Sequence, residues 1–351
     1  MIEANLEFLT VAIYGLLGGV LLGLAARLGR FCTLGAIEDY LYGGSDVRLR
    51  MWGIAIGFAI LGSFGLMASG TLEASSTYYL SIRWMPVASI LGGLIFGYGM
   101  ALSGNCGYGA LARLGGGDLR SFVIVLVMGV STYVVLSGPL APLRTAVFPQ
   151  AEVTGTPPGL AHWLGSVTGL SANAIGMAAG AVILAASAWS RTLWEMPSRV
   201  FWGLVVGAAV VSGWAGTSYV AATGFEALPV VSHSFAAPLG ESLLWFMTGS
   251  ARPLSFATGS VAGVLAGAFI GSLIKGHFRW EACEDPRELK RQILGAAMMG
   301  MGAVLALGCS IGQGLSAFSV LAFSAPLTFM AIFAGAAFGL RQLIEGFQPA
   351  E

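Results

Sequence analysis

The sequence predicts an all-α polytopic membrane protein with about nine transmembrane helices in two inverted repeats, carrying re-entrant cysteine-bearing loops. Three observations lead there. Of 351 residues, 56% are hydrophobic and only 10% charged, against about 25% charged in a soluble domain. The apolar residues come in runs close to the ~20 that a helix needs to span a bilayer. Two glycine-rich breaks, each holding one cysteine, interrupt the runs at corresponding places.

In chain order the runs are 8–28, 51–70, 87–103, 120–139, 172–190, 200–215, 255–274, 291–307 and 325–344. Glycine is frequent inside them, as in Gly15-Leu16-Leu17-Gly18-Gly19, and small residues let membrane helices approach closely. Trp52, Trp84, Trp194, Trp202 and Trp280 fall near run ends, where indole favours the interface. The start, Met1-Ile2-Glu3-Ala4-Asn5-Leu6-Glu7, has no Lys or Arg and so lacks the basic region of a cleaved signal peptide. Asp285-Pro286-Arg287-Glu288 combines a cap, a first-turn proline and an acid three residues on, which predicts a helix start for the eighth run. Segments 71–86, 140–171 and 216–254 retain apolar and small residues, so short re-entrant or surface helices are expected in them.

Basic residues set the expected orientation. Loops after the odd-numbered runs, with the C-terminal tail, hold 14 Lys and Arg, and the other side has only Arg83, Arg144 and Arg252. That bias puts the N-terminus outside and the C-terminus in the cytoplasm. Net charge is zero, which argues against a nucleic-acid partner.

The breaks are Ser103-Gly104-Asn105-Cys106-Gly107-Tyr108-Gly109 and Leu307-Gly308-Cys309-Ser310-Ile311-Gly312-Gln313-Gly314. If runs 1–4 correspond to runs 6–9, the odd helix between them turns the second unit upside down. The chain is then one membrane domain, with a first repeat over 1–145, a connector over 146–199 and a second repeat over 200–351. Broken helices in inverted repeats mark a transport pathway. Non-helical backbone at membrane depth survives where protein covers it or a wet cavity solvates it.

Cys32, in Arg30-Phe31-Cys32-Thr33, and Cys106 belong to the basic side and Cys309 to the other. Folded inward, the three thiols could line one axis as the substrate path. A thiol is a soft, polarizable weak donor that can hold a sulfur-bearing anion without trapping it. Helix N-termini after the breaks would meet the charge, because residues 293–340 contain no charged side chain. Gly104, Gly107, Gly109, Gly308 and Gly312 would shape the loops, and Asn105, Ser310 and Gln313 would hold the ligand or satisfy loop backbone.

Other features read as bland. Cys283 lies in a charged loop without the glycine pattern and is expected to be structural or idle. The four cysteines form no CxxC, so neither a zinc site nor a redox pair is expected, and no cofactor or metal is assigned. Met298-Met299-Gly300-Met301 reads as packing rather than a copper(I) site. His162, His233 and His277 fall in loops. A soft-metal or small-solute channel and a persulfide-forming sulfurtransferase are the alternative readings.

At the three cysteine stretches the chain resembles the YeeE/YedE family of bacterial inner-membrane sulfur-transport proteins. Gly308-Cys309-Ser310-Ile311-Gly312-Gln313-Gly314 is similar to the family's Gly-Cys-x-x-Gly-x-Gly stretch. Asn105-Cys106-Gly107-Tyr108-Gly109 followed by Arg113-Leu114-Gly115-Gly116-Gly117 is similar to its first-half counterpart, and Phe31-Cys32-Thr33 through Glu38-Asp39 to its early cysteine segment. The resemblance implies an hourglass of inverted halves with a constriction lined by three cysteines, non-enzymatic thiosulfate uptake, and transfer by S–H···S contacts. Two departures stand out: Gly116 where the family often has an acid, and Asn105 where it commonly has glycine. A cytoplasmic sulfur carrier with a free thiol could collect the product.

Overall fold

The computed structural model describes residues 2–346 except 154, 283 and 284, and side chains from Leu6 onward. Cys283 therefore lies outside the described residues. All nine expected runs are helical: α1 Ile2–Arg27, α2 Val47–Ala68, α3 Pro86–Ser103, α4 Leu119–Leu136, α5 Ala172–Ala188, α6 Pro197–Thr223, α7 Phe256–Ile274, α8 Pro286–Leu305 and α9 Ser324–Glu345. Among the described residues, 7 helices are long and apolar enough to cross a membrane. The other two are α5, which is apolar but only 17 residues long, and α8. The apolar run of α8 starts at 291, and the helix begins at Pro286 as the Asp285-Pro286-Arg287-Glu288 signature predicts, with the Asp285 carboxylate accepting from Arg287 N at 2.8 Å. Its first turns are therefore charged.

The outward faces of these helices are apolar. Leu17, Leu94, Val130, Val182 and Phe338 are all exposed. A soluble protein rarely shows so continuous an apolar surface, whereas lipid matches it. The inward faces carry small residues. Gly15, Gly19 and Gly23 of α1 recur every four residues and meet Gly259, Gly263 and Gly267 of α7, so the backbones touch. A Cβ on Gly263 would collide with Leu16 O and lie 2.9 Å from Gly19 Cα.

Four short segments fill the centre: the helices Thr33–Leu41, Gly107–Leu114 and Ala237–Thr248, and the π-helical Gly312–Ala317. The segments expected to hold short re-entrant or surface helices do so, in Tyr78–Ser81, Ala141–Val147, Leu160–Thr168 and Ala237–Thr248. The packing contacts fall into matched sets. Helix α1 packs on α7 and α6, as α6 packs on α2 and α1. Helix α3 packs on α9 and α8, as α8 packs on α4 and α3. Thr33–Leu41 touches α2 and α9, as Ala237–Thr248 touches α7 and α4. Gly107–Leu114 touches α4, α7 and α1, as Gly312–Ala317 touches α9, α2 and α6. Helix α5 packs on α2 without such a counterpart.

Candidate functional site: a thiol-lined constriction

Each of the three predicted cysteines stands immediately before a short helical segment. Cys32 caps Thr33–Leu41 in extended backbone, and its Sγ accepts from Gly35 N at 3.5 Å. Cys106 caps Gly107–Leu114. Cys309 precedes helical residues 310–319, and its Sγ accepts from Gly312 N at 3.4 Å. Cys106 and Cys309 are buried and Cys32 is half-buried. The Cys106 thiol lies within interaction range of Cys32, Cys309 and the Ser310 hydroxyl. Side chains from segments more than 200 residues apart thus converge at the centre.

The glycines serve two purposes. Gly104 ends α3 at φ 72° and Gly308 takes φ 157°, both costly for a residue with a side chain. Leu307, not a glycine, is also left-handed at φ 56°, a strain of about 1–2 kcal/mol held just before a candidate site thiol. Gly107 and Gly312 are needed for close approach. A Cβ there would lie 2.6 Å from Phe235 O and 2.8 Å from Ser234 Oγ respectively. At Gly109 the nearest atom would be Asn105 Cβ at 3.2 Å, a milder contact. The π-helical turn over Gly312–Ala317 is a form that often marks functional sites.

The polar residues beside the thiols divide in an informative way. Gln313 Nε2 donates to Ala306 O at 2.8 Å and Leu307 O at 3.2 Å, which ties the loop. Its Oε1 has no protein partner, and neither do Asn105 Oδ1 and Thr33 Oγ1, while Ser310 Oγ faces only the Cys106 thiol. All four residues are buried. A buried polar atom without a partner costs about 1–3 kcal/mol, so their gathering beside three thiols points to a polar ligand.

A fourth segment completes the site and was missed in the sequence. Phe235 N donates to Cys309 Sγ at 3.2 Å, and Ser234 Oγ lies 3.7 Å from the same sulfur. His233, in a loop as expected, is wholly buried, with Nδ1 2.6 Å from Ser260 Oγ, and its carbonyl accepts from Ser316 Oγ at 2.6 Å. The available signal was a likeness between Phe31-Cys32-Thr33 and Phe235-Ala236-Ala237: each puts a buried phenylalanine and a small residue just before a short helix.

A cavity of about 660 Å³ leads to this floor. Tyr78, Tyr133, Glu241 and Arg252 line it, and Ser234, Leu307 and Gly308 bring it to the residue beside Cys309. The Tyr79 hydroxyl, also in the wall, lies near Ser234 and Cys309; burial holds the phenol well above its ordinary pKa, so it is a neutral donor. Hydrogen-bond partners of the sulfurs are N–H groups and a hydroxyl, not carboxylates or ammonium groups. Such a lining suits a soft anion that passes through.

Of the residues read as bland, Met299 packs in the core within α8. His162 lies on Leu160–Thr168 rather than in a loop, because Gly159 starts a helical turn there. Among the described residues, no group of three His, Cys, Asp or Glu is placed to hold one metal ion.

A family profile described as "Sulphur transport" matches residues 28–338. The chain is similar to the thiosulfate transporter TsuA of Escherichia coli (strain K12), 26% identical over 327 residues, covering 86% of this chain and 86% of the relative. It is also similar to the thiosulfate transporter TsuA of Spirochaeta thermophila (strain ATCC 700085 / DSM 6578 / Z-1203), 27% identical over 336 residues, covering 88% of this chain and 92% of the relative.

Proposed function

Because the chain belongs to the sulphur transport family, we propose that this multi-pass membrane protein is a permease importing a small sulfur-containing anion, thiosulfate. The relatives' shared name supports that substrate. The ion enters the cavity and loses water at Ser234 and Tyr79. It then meets Cys309, whose sulfur is already oriented by two backbone N–H groups. Cys106 receives it next and Cys32 releases it. No bond to the ion's sulfur forms or breaks; each thiol offers a weak S–H contact, and the unpartnered side chains nearby exchange with its oxygens. Weak successive sites let the ion leave as readily as it enters. The chain acts as a conduit rather than an enzyme.

The observation that carries this reading is the position of the Cys106 thiol, in range of both Cys309 and Cys32. Several expectations join it. The matched packing supports an inverted repeat of α1–α4 and α6–α9 about the connector α5. The cation bias supports an N-terminus outside and a C-terminus in the cytoplasm of a bacterial inner membrane. A cytoplasmic sulfur carrier collects the product. The test is uptake of labelled thiosulfate into vesicles containing the purified protein, with sulfate as competitor. Saturable uptake that Cys309→Ala abolishes is expected; uptake unchanged in that variant would sink the reading.

A further inference from the structure

Beyond Cys32 and Cys106 the structure gathers cations that the relay does not use. Arg27 ends α1, Arg30 lies in the turn leading into Cys32, and Arg113 sits in the last turn of the short helix that starts after Cys106. Lys275 caps α7, and Arg199 sits in the first turn of α6. They form one connected group. Arg27 interacts with Arg113, Lys275 with Arg30, Arg199 and Arg27, and Arg199 also with Arg48 and Arg30.

The nearby carboxylates are shared with cations outside the group. Asp39 pairs with Arg48 at 3.1 Å, Asp118 with Arg120 at 3.3 Å and Glu281 with Arg279 at 2.8 Å. Asp118 and Glu281 also face Arg27, and Asp39 faces Arg199. Burial, then Arg30, Arg199 and Arg27, lower the pKa of Lys275.

Three of these cations are fastened by carbonyls. Lys275 Nζ donates to Arg27 O at 2.9 Å and Leu28 O at 3.3 Å, Arg199 donates to Gly29 O, and Arg113 donates to Gly104 O at 3.3 Å. Arg27 Nε is buried without a partner. Any side chain at Gly116 would collide with the Arg27 guanidinium, so the departure noted at that position makes room for the cation. The general excess of cations at this end follows from membrane topology. Their gathering around two thiol loops, at a cost in mutual repulsion, does not.

We propose that Arg27, Arg30, Arg113, Arg199 and Lys275 form a binding site for a small divalent oxyanion at the mouth beyond Cys32 and Cys106. The proposal rests on the reading that the ion crosses at these thiols. The site draws the ion off the last sulfur and holds it at the basic face. A lipid headgroup phosphate presents the same oxyanion chemistry, so the test must separate the two sources.

The experiment measures thiosulfate transport in both directions across vesicles of phosphatidylcholine alone and of phosphatidylcholine with phosphatidylglycerol. R30Q and K275Q should raise KM for ion presented to the basic face at least fivefold, and by more than KM for ion presented to the cavity face. Glutamine at 275 keeps a donor for the carbonyls. Should either variant fail to fold, KCl added on the basic side of the wild-type protein should raise the same KM by screening. Equal effects in both directions, or none, would overturn the site. An effect confined to vesicles with phosphatidylglycerol would assign the cluster to headgroups and also overturn it. Wild-type protein that transports in neither direction would instead remove the permease reading itself.

Discussion

The backbone N–H of Phe235 donates to the sulfur of Cys309 across 3.2 Å, although 74 residues separate them. That bond joins two distant segments at the centre of the molecule and orients the thiol nearest the cavity. It also makes the sulfur an acceptor from the backbone, so that the S–H is shared only with the Ser234 hydroxyl at 3.7 Å.

Cys309→Ala and Cys309→Ser should both cut thiosulfate uptake by at least about tenfold, or ~1.4 kcal/mol. Serine keeps an acceptor for Phe235 N and Gly312 N but loses the soft atom. Vesicle uptake at matched protein level measures this. A serine variant with wild-type uptake would show that hydrogen bonding alone suffices.

Asn105→Ala removes a buried amide oxygen that has no protein partner. Stability should hold or rise by about 1 kcal/mol, because an unmet polar atom is costly. Transport should fall, with a raised KM. Thermal unfolding in detergent together with uptake kinetics separates the effects; a variant that loses stability and keeps its KM would contradict a ligand role.

Gly104→Ala and Gly107→Ala should differ. At Gly104, with φ 72°, nothing lies within 4 Å of a new Cβ, so the cost is backbone strain of about 1–2 kcal/mol and uptake survives. At Gly107 the Cβ meets Phe235 O at 2.6 Å and Met128 Sδ at 2.8 Å. Moving Phe235 disturbs its bond to Cys309, so uptake should fall more than stability. Equal uptake in the two variants would argue against that coupling.

Gly263→Ala should loosen the α1–α7 contact, since its Cβ would strike Leu16 O and approach Gly19 Cα to 2.9 Å. Overpacking of this kind costs about 1–3 kcal/mol. A lowered unfolding temperature in detergent is expected. An unchanged one would mean that the two helices separate without penalty.

The sequence by itself determined that the chain is helical and embedded in lipid, where the helices run, and that Cys32, Cys106 and Cys309 are the residues to watch. Those are local properties: apolar run length against bilayer thickness, and glycine beside cysteine in matching breaks. The charged start of α8 was legible too, because Asp285 and Pro286 form a local capping signature that lies ahead of the apolar run. The tertiary structure alone decided which groups meet. Ser234, Phe235 and Ala236 carry no reactive side chain that would have flagged them, and His233 looked like a loop histidine. The Arg27–Arg113–Lys275 gathering was equally hidden, because its members come from separate segments. Contacts between distant segments depend on how helices cross and which backbone atoms approach, and a one-dimensional pattern of residue types does not specify that geometry.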